Sequence, residues 1–464
     1  MYTEDTICAI ATAPGGALGI IRISGKETFP ILGKIFQPMG KKPLAERQNH
    51  EAVFGYIVAN AENAIQEEAR NLSIPNGIID EVLVTIFRSP NSFTGEDSAE
   101  ISCHGSSFIL QTVIGLLLDA GCRMARPGEY TQRAFLNGKM DLSQAEAVAD
   151  VIASNSAASH RIAMSQMRGG IGKELSNMRE QLLHITSLLE LELDFGDHEE
   201  LEFADRSELN MLCRRIIQHL SKLVDSFHTG NALKNGVPVA IVGPTNAGKS
   251  TLLNALLHEE RAIVSDIHGT TRDTIEDTIT LGGVLFRFID TAGIRETDDR
   301  IESLGIERSF QMIDRADIVL LVTAPDCQLS PTELQKIHDH CTGKLLLQLQ
   351  NKCDIQPVSD SSSLAISAKS GMGIGQVEEA LVKAMSDMQS ENNVLITNAR
   401  HLQALRNALE CMYRVQDAMQ MGLSGDLVSQ DLREVLFHLA EVTGGQITSD
   451  EVLGNIFKHF CIGK

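Results

Sequence analysis

No apolar run in the 464-residue chain approaches the ~20 residues of a membrane span. The first ten residues, MYTEDTICAI, have neither the basic region nor the apolar core of a secretory leader. The nine cysteines form no C-x-x-C pair, and their odd count fits a reduced compartment better than a disulfide framework. Most of them are expected as small buried hydrophobes. Positive charge is also scarce, 40 Lys and Arg against 61 Asp and Glu, for a formal net charge of -21. That balance argues against a general nucleic-acid-binding surface, so any RNA contact must be local or made by a partner. Repeats and low-complexity tracts are absent beyond the serine run 361–363. What remains is a soluble, cytoplasmic protein without a membrane role, built from several domains at ~100–200 residues each.

The rest of the chain is organised around residues 239–253, VAIVGPTNAGKSTLL. A buried-type strand over 239–242 leads into GPTNAGKS at 243–250, and a helix follows over 251–257. This is G-x-x-x-x-G-K-S in its strand, loop and helix setting. Glycines let the backbone wrap a phosphate, and the loop N–H groups and the helix N-terminus supply positive potential. Lys249 is placed to meet the β and γ phosphates, and Ser250 to ligate Mg²⁺. A plain glycine-rich turn ahead of a core helix is the blander reading, and the full eight-residue match in this context disfavours it.

Four further motifs follow in order at strand ends. Gly269-Thr270-Thr271-Arg272-Asp273 suits a switch loop, with Thr271 on the metal. The strand 285–290 delivers Asp290-Thr291-Ala292-Gly293, where Asp290 holds Mg²⁺ through water and the Gly293 N–H senses the γ phosphate. Asn351-Lys352-Cys353-Asp354 follows the strand 344–350, and the Asp354 carboxylate can accept from both the N1–H and the 2-amino group of guanine, a donor pair that adenine lacks. Ser367-Ala368-Lys369 follows the strand 364–366 and offers the base a main-chain N–H. Five motifs in sequence imply a GTPase. Ile294 stands where many GTPases carry a water-orienting glutamine, so that role falls to another residue, a partner or an ion.

Around this segment, residues 1–135 mix strand-like runs (6–11, 19–23, 81–87, 98–102) with a helix at 107–120, which suggests an α+β domain. The polar stretch 59–75 reads as a surface loop. Apolar stripes at helical spacing then appear at Leu175, Met178, Leu182, Ile185, Leu189 and Leu193, at Leu209, Leu212, Ile216, Leu220, Leu223 and Phe227, and again at Leu402, Leu405, Leu409, Met412, Val415 and Met419. These predict one helical bundle, 136–235 and 386–464, interrupted by a domain inserted at 236–385. The expected fold is thus multidomain α/β: an N-terminal α+β domain, a discontinuous helical bundle and an inserted Ras-like P-loop GTPase domain with a mostly parallel sheet.

With these residues assembled, the chain resembles the MnmE (TrmE) family of tRNA modification GTPases over essentially its full length. The resemblance rests on GIIRISG (19–25), PNSFTGED (90–97), ARPGEYTQRAFLNGKMDLSQAEAVADVI (125–152), the GTPase motifs and the terminal FCIGK (460–464). It implies an N-terminal folate-binding domain that also dimerises, and a partner, the FAD-dependent MnmG (GidA), with which aminomethyl or carboxymethylaminomethyl groups are placed on carbon five of the wobble uridine in certain tRNAs. The FAD belongs to the partner.

The resemblance carries a folate site onto Arg22, Glu100, Lys139 and Lys464 for a 5-formyl- or 5,10-methylene-tetrahydrofolate donor. A carboxylate can bond a pterin's amidine edge while cations meet the glutamate tail. It implies K⁺ in place of an arginine finger, with Asn246, Ser265, Ile267 and Thr270 as oxygen ligands, and Mg²⁺ on Ser250 and Thr271. The nucleotide site then takes in Asn246, Ala247, Gly248, Lys249, Ser250 and Thr251, the run Ser265, Asp266, Ile267, His268, Gly269, Thr270 and Thr271, and the three later motifs. Glu302 matches a family glutamate that organises the attacking water, and Cys461 is a candidate nucleophile or positioning residue in the uridine chemistry.

The loop 13–19 is shorter than the family pattern, and Pro244 replaces a common arginine. Local help in binding tRNA is expected from Arg123, Arg126, Arg133, Arg161, Arg168 and Lys173. A GTP-dependent ribosome or complex assembly factor is the alternative that the GTPase motifs alone would also fit.

Overall fold

The computed structural model describes the chain except for residues 1–4, 14, 41, 60–76, 195–205, 259–275, 290–301, 357–362, 390–393, 446–452, 454, 455, 459, 461, 462 and 464. Two compact units divide it, one of Met1–Ile152, Gln166–Leu182 and Leu436–Lys464, the other of Ala153–Ser165 and Leu183–Val435.

The first unit holds a seven-stranded sheet of β1 (Ile7–Ile10), β2 (Leu18–Ser24), β3 (Phe36–Pro38), β4 (Ala52–Val58), β5 (Ile78–Phe87), β6 (Ser98–His104) and β7 (Arg123–Met124), in the order β3-β4-β5-β6-β2-β1-β7. Neighbours run antiparallel except β1 and β7. Alternation fixes which face is buried: along β5, Val82, Val84 and Ile86 point into the core, whereas Glu81 and Leu83 are exposed. Helices α1 (Thr28–Ile35) and α2 (Ser107–Asp119) cover that inner face, where Leu32, Ile35, Leu110 and Leu117 join Ile21, Val84 and Ile101. Helices α3 (Glu129–Leu136) and α4 (Leu142–Ala153) follow, and Leu142 and Ala145 pack with Leu453, Phe457 and Phe460 from near the C-terminus.

The apolar stripes become the buried faces of long helices. After α5 (Ala157–Met167) come α6 (Gly170–Asp194) and α7 (Arg206–Asn235), on which the stripe residues Leu175, Leu182, Leu189, Leu209, Ile216 and Leu220 are all at most 1% exposed. Phe227 is half-buried, and the side chain of Leu193 lies outside the described residues.

The second sheet contains β8 (Val237–Val242), β9 (Asp277–Leu281), β10 (Val284–Phe288), β11 (Ile318–Thr323), β12 (Leu345–Gln350) and β13 (Leu364–Ala365), ordered β13-β12-β11-β8-β10-β9. It is parallel apart from the β9–β10 hairpin. Both faces are covered, as a parallel sheet requires. Val237, Val239, Ile241 and Leu320 face one core, and Ala240, Val242, Val319 and Leu321 the other. Helices α8 (Lys249–His258), α9 (Glu302–Arg315), α10 (Pro331–His340) and α11 (Ile374–Gln389) belong to this layer.

The chain passes from α7 into β8 through Gly236 alone and returns beside α7, where the Ile396 N–H donates to Ser226 Oγ at 3.1 Å. Helix α12 (Ala399–Gln420) then packs along α7, with Leu402, Leu405, Met412 and Val415 buried and Leu409 and Met419 half-buried, and α13 (Gly425–Thr443) follows. The six-stranded sheet therefore stands between helical stretches, in a multidomain α/β chain.

No described helix is long and apolar enough to cross a membrane. Cys8, Cys103, Cys122, Cys213, Cys341 and Cys411 are buried and free, whereas Cys327 and Cys353 are half-buried.

Candidate nucleotide site

The carboxyl end of β8 turns directly into the loop 243–248 and then into α8. Gly243 has φ +148°, and a Cβ there would lie 2.0 Å from the Val322 carbonyl oxygen of β11. Gly248 has φ +94°, and its Cβ would lie 2.2 Å from the Asn351 side-chain nitrogen. Only glycine fits either place. Asn246 adopts φ +63°, a conformation that asparagine tolerates better than most residues. The Lys249 ammonium donates to the carbonyls of Gly243 at 2.9 Å and Pro244 at 2.8 Å. Burial lowers its pKa from the usual lysine range. Ser250 and Thr251 stand in the first turn of α8, where the helix dipole favours negative charge.

Asn351, only 4% exposed, ties this loop to the two motifs downstream. Its Nδ2 donates to the Ala247 carbonyl at 2.8 Å, and its Oδ1 accepts from the Ala368 N–H at 2.9 Å. Lys352 has φ +63° and directs its ammonium to both oxygens of Asp326, at 2.9 and 2.7 Å. The motifs together line a cavity of about 550 Å³, within the usual range for small-molecule sites.

Of the expected residues, Asn246, Gly248, Lys249, Ser250, Thr251, Asn351, Lys352, Asp354, Ser367 and Lys369 line the cavity. Ala247 and Ala368 sit behind it, 0% and 6% exposed. The Ala368 N–H donates to the Asn351 side chain and so ties this loop to the phosphate loop. Thr245 and Ile355 also line the cavity without having been expected; Ile355 is 77% exposed, and that apolar side chain follows Asp354 directly. Its signal was position alone. Ser265, Asp266, Ile267, His268, Gly269, Thr270, Thr271, Asp290, Thr291, Ala292 and Gly293 lie outside the described residues. Glu302 opens α9, and its side chain also lies outside them.

In the first unit, Arg22 of β2 stands opposite Glu100 of β6. Glu100 Oε1 accepts from Arg22 Nε at 3.0 Å and from Nη2 at 2.7 Å. Arg22 Nη1 donates to the Gly463 carbonyl at 3.2 Å, which brings the C-terminal segment to this pair. The Arg22 guanidinium lies 5.7 Å from the Phe93 ring and 5.5 Å from that of Tyr130. Lys139 donates to the Pro90 carbonyl at 2.9 Å. Cys461 and Lys464 lie outside the described residues.

A family model described as the MnmE helical domain matches residues 142–461, and one described as the GTP-binding protein TrmE N-terminus matches residues 6–139. The tRNA modification GTPase MnmE of Phocaeicola vulgatus is 55% identical over 498 residues, covering all of both chains. Those of Parabacteroides distasonis and Bacteroides thetaiotaomicron are each 54% identical, covering 99% of this chain and all of theirs. The chain belongs to the MnmE family.

Two of the cations expected to help bind tRNA are unavailable in this MnmE-family chain. Arg133 is 3% exposed and bonded to Asp5 at 2.9 Å, Glu129 at 3.1 Å and Glu96 at 3.2 Å. Arg123 is bound by Asp5 and Glu129, each at 2.6 Å. Both neutralise buried or half-buried carboxylates and therefore offer little to a phosphate. Arg126, Arg161, Arg168 and Lys173 remain exposed.

Proposed function

We propose that this chain is a GTP-hydrolysing enzyme of tRNA modification. The observation that carries the reading is the single cavity in which the phosphate loop and both guanine-side motifs converge, supported by full-length similarity to proteins named tRNA modification GTPase MnmE. Lys249 meets the β and γ phosphates, the loop N–H groups cradle them, and Asp354 selects guanine through its two donors. The Ser250 hydroxyl and the Asn246 side chain at the cavity wall are oxygen donors of the hard kind that suits Mg²⁺ and K⁺. Thr271 completes the Mg²⁺ set, and Ser265, Ile267 and Thr270 the K⁺ set. Bound there, the two ions stabilise charge developing on the phosphates. With Ile294 unable to orient water, Glu302 does so indirectly.

In the finer reading, a cytoplasmic homodimer paired through its N-terminal domains works with the FAD-dependent MnmG. Together they add an aminomethyl or carboxymethylaminomethyl group to carbon five of the wobble uridine, from a tetrahydrofolate one-carbon donor. The Arg22–Glu100 pair, with the C-terminal segment against it, fits such a donor: a carboxylate for the pterin's amidine edge and a guanidinium flanked by aromatic rings. Lys139 and Lys464 serve the glutamate tail.

The test is GTP turnover by the full chain in K⁺ and in Na⁺ at matched ionic strength, which holds screening constant. Faster turnover in K⁺ is the expected result. Equal, slow turnover in both salts would remove the ion and favour an external activator, as in an assembly factor.

A further inference from the structure

We infer that Asp326 is a positioning residue for the guanine end of the nucleotide site, fixing Lys352 as a cavity wall before nucleotide arrives. This rests on the GTP-site reading above.

Asp326 lies just beyond β11, the strand next to the one that leads into the phosphate loop. The segment 324–327 closes on itself through the Ala324 N–H to the Cys327 carbonyl at 3.3 Å and the Cys327 N–H to the Ala324 carbonyl at 3.0 Å. The carboxylate is therefore presented from a fixed turn at the carboxyl end of a central strand. Both of its oxygens accept from the Lys352 ammonium, at 2.9 and 2.7 Å.

The other end of that lysine is equally fixed. Its backbone sits at φ +63°, between the Asn351 N–H on the Thr323 carbonyl at 2.8 Å and the Cys353 N–H on the Ile366 carbonyl at 3.1 Å. With both ends held, the four-carbon stem lies along the cavity beside Asp354 and Ile355. A stem of that length is an apolar strip suited to the flat face of a purine.

Stability is a poor explanation for the pair. The Asp326 side chain is 62% exposed and that of Lys352 27%, and ion pairs so open to water contribute little to folding. Orientation is where such a pair acts: a lysine ordered before binding loses less freedom when the ligand arrives.

The experiment follows dissociation of a fluorescent N-methylanthraniloyl-GDP and steady-state GTP turnover for the full chain. Asp326→Asn should speed dissociation and raise KM by about 3- to 10-fold, with kcat moving less than KM. Asp326→Glu should recover part of the loss. On a Lys352→Met background, which keeps the apolar stem without the charge, Asp326→Asn should have no further effect. Unchanged dissociation in Asp326→Asn, or the same loss on both backgrounds, overturns the inference while leaving the GTP site standing. A wild-type chain that binds no guanine nucleotide overturns both.

Discussion

The two units stabilise their polar interiors in opposite ways. Beside the seven-stranded sheet, the interior is ionic: Arg133 and Glu129, 3% and 2% exposed, are knitted to Asp5, Glu96 and Arg123. Beneath the nucleotide cavity it is neutral, with one buried amide, Asn351, joining two loops through backbone groups. Buried charges are held only while every partner is present, because desolvation is costly for each of them. A neutral amide demands far less and adds no net charge. At the phosphate end of the cavity, Lys249 and the α8 N-terminus then supply the positive potential that a polyphosphate needs.

The sharpest way to break this comparison is to remove one buried charge. Arg133→Met should destabilise the first unit by about 3–5 kcal/mol, since it leaves Glu129 and Glu96 short of a partner. Amide hydrogen exchange should show β1 and α3 opening faster, with β8 and β11 unchanged and nucleotide binding retained. A loss below about 1 kcal/mol would mean that Arg123 suffices for Glu129, and Ser24 and water for Glu96.

Acid should separate the units next. Burial pushes the Glu129 carboxyl up, but bonds from Arg123, the Arg126 N–H and Arg133 outweigh it and hold the group at about 2. A carboxyl with a folded pKa below its unfolded value of ~4.3 contributes stability that is full above about pH 5 and lost as pH falls towards about 2, ~3 kcal/mol in all. Asp317, at the head of β11, has the opposite sign. Burial raises its pKa against the pull of His228, Lys344 and Arg287. Its folded form prefers the proton, so its contribution is greatest below the ordinary aspartate range and falls as pH rises. Denaturant midpoints followed between pH 6 and pH 3 by exchange in each sheet should therefore fall more steeply in the first unit. Glu129→Gln should flatten that fall, and an unchanged slope would show that other carboxylates govern it.

The same contrast governs what could be read from the sequence. The phosphate loop and its partners are contiguous motifs at strand ends, because a sheet covered on both faces leaves chemistry only its ends. Such sites are legible residue by residue. Arg22 and Glu100 are 78 residues apart and meet only through strand register, so no local pattern pairs them, and they were reached through family resemblance. The ionic network failed in the other direction. Arg133 in sequence is an ordinary surface cation, and only the fold shows that α3 turns it inward.

Helix α1, TFPILGKI, was not among the elements expected from the sequence; Pro30 and Gly33 weaken its helical signal. Proline in a first turn costs no intrahelical bond, and Phe29, Ile31, Leu32 and Ile35 bury the helix regardless. Asp326 was missed because its partner Lys352 is 26 residues away and no motif or resemblance pointed to it.

The neutral side of the comparison is tested by Asn351→Ala. Removing the amide leaves the Ala247 carbonyl and the Ala368 N–H without the partner that joins them, at a cost of about 1–3 kcal/mol for each buried group that finds no replacement. The cavity wall offers water as a substitute, so the smaller figure is expected, and the second sheet should stay folded with only a modest loss of stability. The larger effect should fall on guanine nucleotide affinity, because the phosphate loop and the base loop would no longer be held in one geometry. Asn351→Asp discriminates further. The carboxylate can still accept from Ala368 but cannot donate to Ala247, and it places a negative charge behind the phosphate loop. If neutrality matters, Asn351→Asp should bind GTP more weakly than Asn351→Ala, despite keeping one hydrogen bond more. Equal or tighter binding by Asn351→Asp would show that connectivity alone sets the site.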